Sequence, residues 1–206
     1  MKGKFITFEG LDGSGKTTQI QALKKNLEEK EIKVLTTREP GGTKFGEKIR
    51  NLIFENTSIS PETETFLLFS ARIEHIKKVI IPSLDRGEIV LCDRFTDSTY
   101  AYQSGGDGLD AKKIEILEKW VHPQLQPDLT FYFNLPIDLA LKRIKKNREN
   151  QPYEQNKMLL FKEIENGYKK RMKEFPQRFV TVDCEKDIQK INDFLVFKIN
   201  QLIAFN

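Results

Sequence analysis

The segment Gly10–Thr18, GLDGSGKTT, constrains the fold of this chain more than any other stretch. It follows the short apolar run Phe5–Phe8 and leads into a pattern typical of an amphipathic helix, so it joins a predicted strand to a predicted helix. Glycines allow the backbone to turn several N–H groups inward onto a phosphate chain, and the positive end of the following helix favours the same anion. The phosphate-binding pattern G-x-x-x-x-G-K-[ST] is matched at Gly10, Gly15, Lys16 and Thr17.

Two side chains of this segment have defined tasks in phosphate-binding loops. Lys16 is predicted to reach the β- and γ-phosphates of a nucleoside triphosphate such as ATP, and the Thr17 hydroxyl to ligate Mg²⁺. A glycine-rich turn that matched by chance would lack the flanking strand and helix patterns. The remaining phosphate contacts are predicted to come from Gly10, Gly13, Ser14, Gly15 and Thr18.

Length and charge narrow the class of protein. The 206 residues fit a single domain over residues 1–206, and the net charge of +4 is mild, with basic and acidic residues interspersed. We therefore predict no polymeric nucleic acid and no membrane as a partner. Because the N-terminus lacks a signal-peptide pattern, we expect a cytoplasmic protein. Its Cys92 and Cys184, each at the end of a β-like run, are expected to be buried, reduced thiols.

Short β-branched and aromatic runs alternate with longer amphipathic stretches. Together with the phosphate loop, this alternation predicts an α/β fold, namely a P-loop NTPase-type three-layer α/β/α arrangement with a five-stranded parallel sheet. The predicted strands are Lys4–Glu9, Lys33–Thr37, Glu88–Cys92, Leu129–Asn134 and Phe179–Asp183. The predicted helices cover residues 15–30, 43–55, 61–81, 95–104, 110–121, 136–147, 157–174 and 186–204, and Ser60 and Pro61 are typical of a helix start.

An acid stands beside an arginine directly after two of these strands. Arg38-Glu39-Pro40 follows the second strand and Asp93-Arg94-Phe95 follows the third. In parallel sheets, ligands gather at the carboxyl ends of the strands, where an acid can hold Mg²⁺ and an arginine can grip a phosphate. Surface salt bridges are the alternative interpretation. We predict that the metal site consists of Thr17, Asp93 and Glu39.

Polar and aromatic residues on two predicted helices suggest recognition of a nucleobase. Phe69 and Arg72 lie close together on one helix, as an aromatic ring and a guanidinium would in a base pocket, although Phe69 could equally belong to the core. Ser98 and Tyr102 share one helical face beyond Asp93 and indicate recognition of an acceptor.

The stretch Lys142–Asn156 is polar and basic and is interrupted by Pro152. We predict a short lid at about residues 142–156 that brings cations over the transferring phosphate. A solvated surface loop is the alternative. The arginines of this stretch are Arg143 and Arg148.

Taken in order, these motifs resemble the thymidylate kinase (dTMP kinase) family over essentially the whole chain. The phosphate loop is shared by many NTPases, whereas the second and fifth of the matching segments are far more specific. The segments are FEGLDGSGKTT at Phe8–Thr18, REPGGT at Arg38–Thr43, GEKIR at Gly46–Arg50, LLFSAR at Leu67–Arg72, CDRFTDSTYAYQSGG at Cys92–Gly106, PDLTFYFNL at Pro127–Leu135 and GYKKR at Gly167–Arg171.

The resemblance implies transfer of the γ-phosphate of ATP to dTMP, with Mg²⁺, by an enzyme that is usually a homodimer. It implies that Asp12 faces the acceptor's sugar hydroxyl and phosphate, that Asp93 acts on the metal side, and that Tyr102 excludes a ribose 2′-OH. The implied phosphate clamp consists of Arg38, Arg50 and Arg94. The implied base and sugar contacts are Pro40, Phe69, Arg72, Ser98 and Gln103.

Two features depart from the family pattern, the stacking aromatic and the lid. Many bacterial members carry several arginines and a D-R-x-E run in the lid, where this chain reads Gln151-Pro152-Tyr153-Glu154 and only the glutamate is kept. Members commonly carry the stacking aromatic where this chain has Leu68, so Phe69, one residue later, is the predicted stacking residue. Some members carry an arginine directly after the acid of the phosphate loop, where this chain has Gly13. The cation at the transferring phosphate is therefore predicted to be Arg148, while Arg143 supports the lid or flanks the adenine.

Three other functions use the same loop. Another nucleoside or nucleotide kinase would keep the donor site and change the acceptor. A GTP-binding switch would need an N-K-x-D segment, but the chain's Asn156-Lys157 pair continues as Met158-Leu159. The third alternative is an ATP-binding regulatory protein without transfer activity.

Overall fold

The computed structural model describes residues 3–55, 58–146 and 154–204. These residues form a five-stranded sheet in which every pair of neighbours is parallel. The strands are β1 (Lys4–Gly10), β2 (Val34–Arg38), β3 (Ile89–Asp93), β4 (Leu129–Asn134) and β5 (Phe179–Asp183), in the spatial order β2-β3-β1-β4-β5. The predicted fold class is confirmed.

Helices connect the strands. They are α1 (Lys16–Glu28), α2 (Lys44–Glu55), α3 (Pro61–His75), α4 (Ile81–Asp85), α5 (Thr96–Thr99), α6 (Ala111–Val121), α7 (Ile137–Lys146), α8 (Glu154–Glu174) and α9 (Ile188–Ala204). Two wider π-helical segments continue this set: Ile76–Ile80 joins α3 to α4, and Tyr100–Gly106 extends α5. The predicted helix over residues 61–81 therefore extends to Asp85.

The start of α3 follows its sequence signals. Ser60 has an extended backbone, its Oγ accepts a hydrogen bond from the Thr63 N–H at 3.2 Å, and Pro61 occupies the first turn. A proline is tolerated there because its missing N–H would have no partner within the helix. This cap confirms the predicted helix start.

Side-chain alternation along β3 explains why helices cover both faces of the sheet. Ile89 and Leu91 pack into the large cluster that includes the buried leucines of α1, whereas Val90 and Cys92 pack with Ile80 on the opposite face. Successive strand residues point to opposite faces, so a strand that is apolar at every position needs cover on both sides. The core therefore lies in two layers on either side of the sheet.

The register of the strands brings the carboxyl ends of three of them together. Asp93 of β3 pairs with Phe8 of β1 and with Arg38 of β2. The Glu39 N–H donates to the Asp93 carbonyl at 3.0 Å, and the Arg94 N–H donates to the Phe8 carbonyl at 3.0 Å. The phosphate loop and the two acid–arginine pairs consequently share one edge of the sheet.

Cys92 and Cys184 are both buried free thiols, as predicted. Burial raises the pKa of each thiol, so both stay protonated. Within the described part of the chain, none of the helices combines the length and hydropathy that crossing a bilayer requires.

A buried charge cluster joins α5 to the C-terminal half of the chain. The Asp97 carboxylate is 1% exposed and accepts hydrogen bonds from Arg171 Nε at 2.9 Å and from Arg178 Nη1 at 2.6 Å. The Arg171 guanidinium also lies 3.9 Å from the centre of the Tyr100 ring. Two buried guanidinium groups therefore depend on one carboxylate.

We predict that Asp97→Ala lowers the free energy of unfolding by about 3–5 kcal/mol, because it leaves two buried cations without their common partner. Denaturant unfolding of the variant measures this loss. The matched control is Glu174→Ala, which removes a 56% exposed carboxylate 2.8 Å from the same Arg171. It is expected to cost less than about 1 kcal/mol. Equal losses in the two variants would contradict the special role of the buried acid.

Candidate active site

The phosphate loop closes over the side chain of Lys16. Gly10 has φ 136°, and a Cβ there would lie 2.6 Å from the Phe133 carbonyl oxygen, so only glycine fits. Lys16 Nζ donates to the carbonyl oxygens of Gly10 at 3.1 Å and Leu11 at 3.0 Å. Burial, reinforced by the nearby Arg94, lowers the pKa of Lys16 to about 8. A phosphate in the loop would offset both effects, because it supplies negative charge to the ammonium group.

Thr17 and Asp93 place two oxygen ligands side by side at the edge of the loop. The Thr17 hydroxyl donates to Asp93 Oδ2 at 2.7 Å. Hydroxyl and carboxylate oxygens are the ligands that Mg²⁺ prefers, usually together with water and phosphate oxygens. This donor set fits the metal that the loop motif implies.

Two cavities meet beside the loop. One, of about 690 Å³, runs along the phosphate loop towards Arg143, Cys184 and Ile188. The other, of about 170 Å³, lies between α2, α3 and the helical segment after β3. The residues that border both cavities are Asp12, Glu39, Arg50 and Arg94. A group bound in one cavity would therefore face a group bound in the other across a shared set of charged side chains.

Arg94 is the central cation of this junction. Its Nη2 donates to Asp12 Oδ1 at 2.7 Å and to the Tyr102 hydroxyl at 2.9 Å. Its Nη1 donates to the Ser98 hydroxyl at 3.0 Å and to the Tyr168 hydroxyl at 2.9 Å. Arg94 itself has φ 70°, which is uncommon for a residue with a side chain and is typical of functional sites. Four hydrogen bonds thus fix the direction of one guanidinium.

A buried carboxylate lies behind this cation. Glu9 Oε2 accepts from the Ser98 hydroxyl at 2.5 Å and from the Tyr168 hydroxyl at 3.1 Å, while Oε1 accepts from the Phe95 N–H at 2.8 Å. Burial, reinforced by the Asp97 carboxylate, raises the pKa of Glu9 to about 7. Glu9 and Tyr168 are therefore the supports that hold Ser98 and Arg94 in place.

Two further arginines border the junction. Arg38 is exposed and donates to Glu47 Oε2 at 2.8 Å, so it is held by a surface carboxylate. Arg50 donates to the Pro40 carbonyl at 3.0 Å, and its guanidinium lies 4.7 Å from the centre of the Phe54 ring. Both cations are within the wall of the larger cavity, where phosphate groups are predicted to bind.

The smaller cavity contains most of the predicted base and sugar contacts. Its walls include Pro40, Arg72, Ser98, Tyr102 and Gln103. Gln103 Nε2 also donates to Glu64 Oε1 at 3.2 Å. These residues, which the sequence analysis assigned to the base and sugar, therefore lie together around one cavity.

Phe69 requires a correction. Its side chain is 2% exposed and packs in a separate apolar cluster with Tyr100 and Ile114. Among the described residues, Leu68 borders the smaller cavity and Phe69 does not. The Arg72 guanidinium lies 4.5 Å from the centre of the Phe69 ring. Phe69 therefore supports Arg72 from behind instead of stacking on a base.

Glu39 also requires a correction. It was predicted as a metal ligand, but its Oε2 accepts from Arg72 Nε at 2.7 Å and its Oε1 contacts His75 Nδ1 at 3.0 Å. Although burial opposes ionisation, Arg72 and His75 hold the pKa of Glu39 below its usual value. A carboxylate with both oxygens engaged by buried donors is unsuited to a metal ion, so we retain only Thr17 and Asp93 as metal ligands.

Of the two predicted lid arginines, Arg143 is described and Arg148 lies outside the described residues. Arg143 Nη1 donates to the Gly13 carbonyl at 3.3 Å, and Nη2 donates to the Cys184 carbonyl at 3.4 Å. It therefore braces the phosphate loop beside the larger cavity.

Several residues of the site were not selected from the sequence. Tyr168 belongs to the GYKKR segment that carried the family resemblance, and that segment was the available signal. Glu9 looked like an ordinary strand residue, and His75 like an ordinary helix residue, because their partners are distant in sequence. The larger cavity is also bordered by Lys186, Ile188 and Ile191.

Comparisons with known proteins agree with this geometry. Residues 8–195 match the family model described as thymidylate kinase. Similar proteins named thymidylate kinase occur in Methylobacillus flagellatus (45% identical over 191 residues, 93% of this chain and 94% of the relative) and in Janthinobacterium sp. strain Marseille (47% over 193 residues, 94% of each). A third, from Bordetella pertussis, is 41% identical over 203 residues, 98% of this chain and 97% of the relative.

The raised pKa of Glu9 leads to a prediction about stability and pH. A carboxyl whose pKa is about 7 in the folded protein and near its ordinary value of 4.5 when unfolded contributes stability at low pH. That contribution is lost as the pH rises through 7. Between pH 5 and 8, the wild type should lose up to about 3 kcal/mol of unfolding free energy relative to Glu9→Gln.

Denaturant unfolding at several pH values measures this difference. A difference in unfolding free energy that is the same at every pH reflects altered hydrogen bonds in Glu9→Gln. The test is therefore how this difference changes with pH. Glu174→Gln, at an exposed carboxylate, is the control and should run parallel to the wild type. Parallel curves for Glu9→Gln and the wild type would show that Glu9 does not hold its proton near neutral pH.

Proposed function

Because the chain belongs to the thymidylate kinase family, we propose that it transfers the γ-phosphate of ATP to dTMP, giving dTDP and ADP. The observation that carries the proposal is the junction of the two cavities. Asp12, Arg50 and Arg94 border both, next to Lys16 of the phosphate loop. In phosphoryl transfer, catalysis consists mainly of positioning two reactants in line and stabilising charge between them.

The larger cavity suits the triphosphate of ATP. We assign the phosphate contacts to the loop backbone and to Lys16, whose present carbonyl partners a phosphate would replace. Thr17 and Asp93 would hold Mg²⁺, which when bound neutralises charge on the β- and γ-phosphates. Arg143, which borders the same cavity, flanks the adenine in this assignment.

The smaller cavity suits dTMP. We assign the acceptor phosphate to Arg38, Arg50 and Arg94, since a guanidinium fork matches phosphate oxygens. Asp12 takes the sugar hydroxyl and orients Arg94, with which it forms a 2.7 Å ion pair. The base and sugar contacts in this assignment are Pro40, Arg72, Ser98 and Gln103.

Tyr102 is the assigned determinant of the sugar. Its ring lies edge-on to Tyr168 with ring centres 6.4 Å apart, and its hydroxyl is occupied by Arg94. A ribose 2′-OH that met this ring would lose its water partners without gaining a hydrogen bond. The proposed acceptor is therefore a deoxyribonucleotide.

Three further expectations belong to the proposal. The comparisons favour dTMP over another acceptor. A homodimer is supported by exposed apolar side chains on the neighbouring helices α3 and α6, namely Phe66, Ile116 and Trp120. A single catalytic domain over residues 1–206 and a cytoplasmic location remain sequence-based expectations.

Acceptor-dependent ADP formation tests the function. With ATP and Mg²⁺, we expect dTMP to be the best acceptor in a panel that includes its ribose analogue and dCMP, with little ADP when no acceptor is added. Lys16→Ala should abolish transfer in a folded protein, because it removes the cation of the phosphate loop. Lys24→Ala, which removes a lysine of the same helix paired with Glu28 at 3.7 Å, is the control and should retain turnover.

Two outcomes would contradict the assignment. Wild-type turnover in folded Lys16→Ala would contradict the assignment of the ATP site to the phosphate loop. Equal use of dTMP and its ribose analogue would remove the proposed role of Tyr102 and of the smaller cavity.

A second prediction concerns the cation at the transferring phosphate. Gly13 follows Asp12, so the phosphate loop lacks an arginine at that point, and we propose Arg148 for the role on the basis of the sequence. Loss of such a cation costs roughly 10³-fold in rate. Arg148→Ala should therefore lower kcat sharply with little change in dTMP binding, and Arg148→Lys should recover only part of the rate.

Steady-state kinetics of these variants provides the measurement. Arg143→Ala is the comparison, because Arg143 contacts loop carbonyls and should affect the KM for ATP more than kcat. If kcat of Arg148→Ala stays within about threefold of the wild type, well short of the expected loss, the role passes to Lys145, Lys146 or Arg143.

A further inference from the structure

A buried histidine stands behind the smaller cavity and is not explained by the proposed reaction. His75, the last residue of α3, is 0% exposed. Its Nδ1 lies 3.0 Å from Glu39 Oε1 and its Nε2 lies 2.6 Å from the Thr37 hydroxyl. Since an ionised carboxylate only accepts hydrogen bonds, Nδ1 is the donor to Glu39. Both ring nitrogens are therefore committed to the end of β2 and the loop that follows it.

Glu39, held by His75, in turn positions Arg72. Its second oxygen accepts from Arg72 Nε at 2.7 Å, and Arg72 Nη2 donates to the Thr99 hydroxyl at 3.0 Å. The guanidinium also lies 4.5 Å from the centre of the Phe69 ring and 5.3 Å from that of Phe95. Of the Arg72 nitrogens, Nη1 is buried without a partner among the described residues.

An unpaired buried donor costs free energy unless a ligand completes it. Arg72 borders the smaller cavity, and Nη1 is its one nitrogen without a partner among the described residues, so we assign Nη1 to the acceptor's base. Its direction is set by the hydrogen bonds at Nε and Nη2, and the bond at Nε depends on the orientation of Glu39. His75 holds the opposite oxygen of the same carboxylate.

His75 also contacts the turn after β2, the strand that ends at Arg38, an assigned ligand of the acceptor's phosphate. Gly42 has φ 75°, and a Cβ at that position would clash with the His75 ring. The Gly42 N–H donates to Glu47 Oε1 at 3.1 Å, and the other oxygen of Glu47 holds Arg38 at 2.8 Å. The His75 imidazole therefore contacts Glu39, which holds Arg72, and also packs against Gly42 in the turn that follows Arg38.

We infer that His75 is a positioning residue for the acceptor nucleotide: through Glu39 it directs Arg72 Nη1 towards a carbonyl of the base, and by packing on Gly42 it sets the turn that anchors Glu47, the partner of Arg38. His75 touches no substrate in this assignment. The inference rests on the proposed dTMP acceptor. It separates His75 from an ordinary satisfied core histidine, which would contribute to stability alone.

The inference predicts an effect on one substrate and not on the other. His75→Leu should raise the KM for dTMP by roughly tenfold or more, since a displaced arginine loses its hydrogen bond to the base, while the KM for ATP stays within about twofold. The preference for dTMP over dCMP should fall as well. A guanidinium only donates hydrogen bonds, and cytosine presents an amino group where thymine presents a carbonyl.

Conservative and matched variants separate positioning from stability. His75→Asn keeps an N–H that can reach Glu39, so it should recover part of the dTMP affinity. Asn192→Leu is the control: Asn192 is also buried, and its Nδ2 donates to Gln19 Oε1 at 3.3 Å between α9 and α1. It should lower the melting temperature without the selective loss of dTMP binding.

The experiment measures both KM values, the dTMP to dCMP ratio and the melting temperature for each variant. If His75→Leu fails to fold, His75→Asn and Thr37→Val decide the question, and Thr37→Val should raise the KM for dTMP about twofold to threefold by freeing the ring. Equal changes in the two KM values, no change, or the same pattern in Asn192→Leu would overturn the inference. If the wild type does not phosphorylate dTMP, the proposed function fails instead.

Discussion

Parallel pairing of β1, β2 and β3 is the constraint on which the rest of the site depends. Because the three strands run in the same direction, the phosphate loop, the loop after Arg38 and the loop after Asp93 all begin at one edge of the sheet. Residues more than 80 positions apart thereby form the 2.7 Å ion pair between Asp12 and Arg94. The helices on both faces exclude water from the strands and leave this edge as the place where polar groups can meet.

Charge burial at this edge has a cost that the surrounding contacts offset. The Arg94 guanidinium is surrounded by two tyrosine hydroxyls, a serine and a carboxylate, and Glu9 lies behind it without direct contact to solvent. Such groups are stable only when nearly every donor and acceptor is paired. The same pairing pre-organises the cation for an incoming phosphate, since little reorganisation is needed when charge arrives. Tyr168 also ties α8 to this arrangement, because it contacts both Arg94 and Glu9.

The acceptor side is built on a second buried pair, Glu39 and Arg72, with side-chain exposures of 5% and 2%. A buried ion pair contributes little net stability, so its value lies in geometry. Here the Glu39 carboxylate joins Arg72, which borders the cavity, to a histidine that packs against the next loop. The buried Glu39 and His75 therefore determine the orientation of Arg72. Phe69 contributes the aromatic surface beneath the Arg72 guanidinium.

The strand–helix alternation, the phosphate loop and the acid–arginine pairs could all be predicted from the sequence, because they depend on residues close together in the chain. Runs of β-branched and aromatic residues located each of the five strands of the described sheet to within about one residue, with the second beginning at Val34 where Lys33 was predicted. The roles of Glu39 and Phe69 were decided by tertiary structure. An acid after a strand has the same local pattern whether it faces a metal or a buried arginine 33 positions away, and an aromatic beside Arg72 has the same helical spacing whether it lines a cavity or supports the guanidinium. Tyr168 and His75 became meaningful only once folding brought their hydroxyl and imidazole to partners on other elements, because hydrogen bonds between distant segments leave no periodic trace in the sequence.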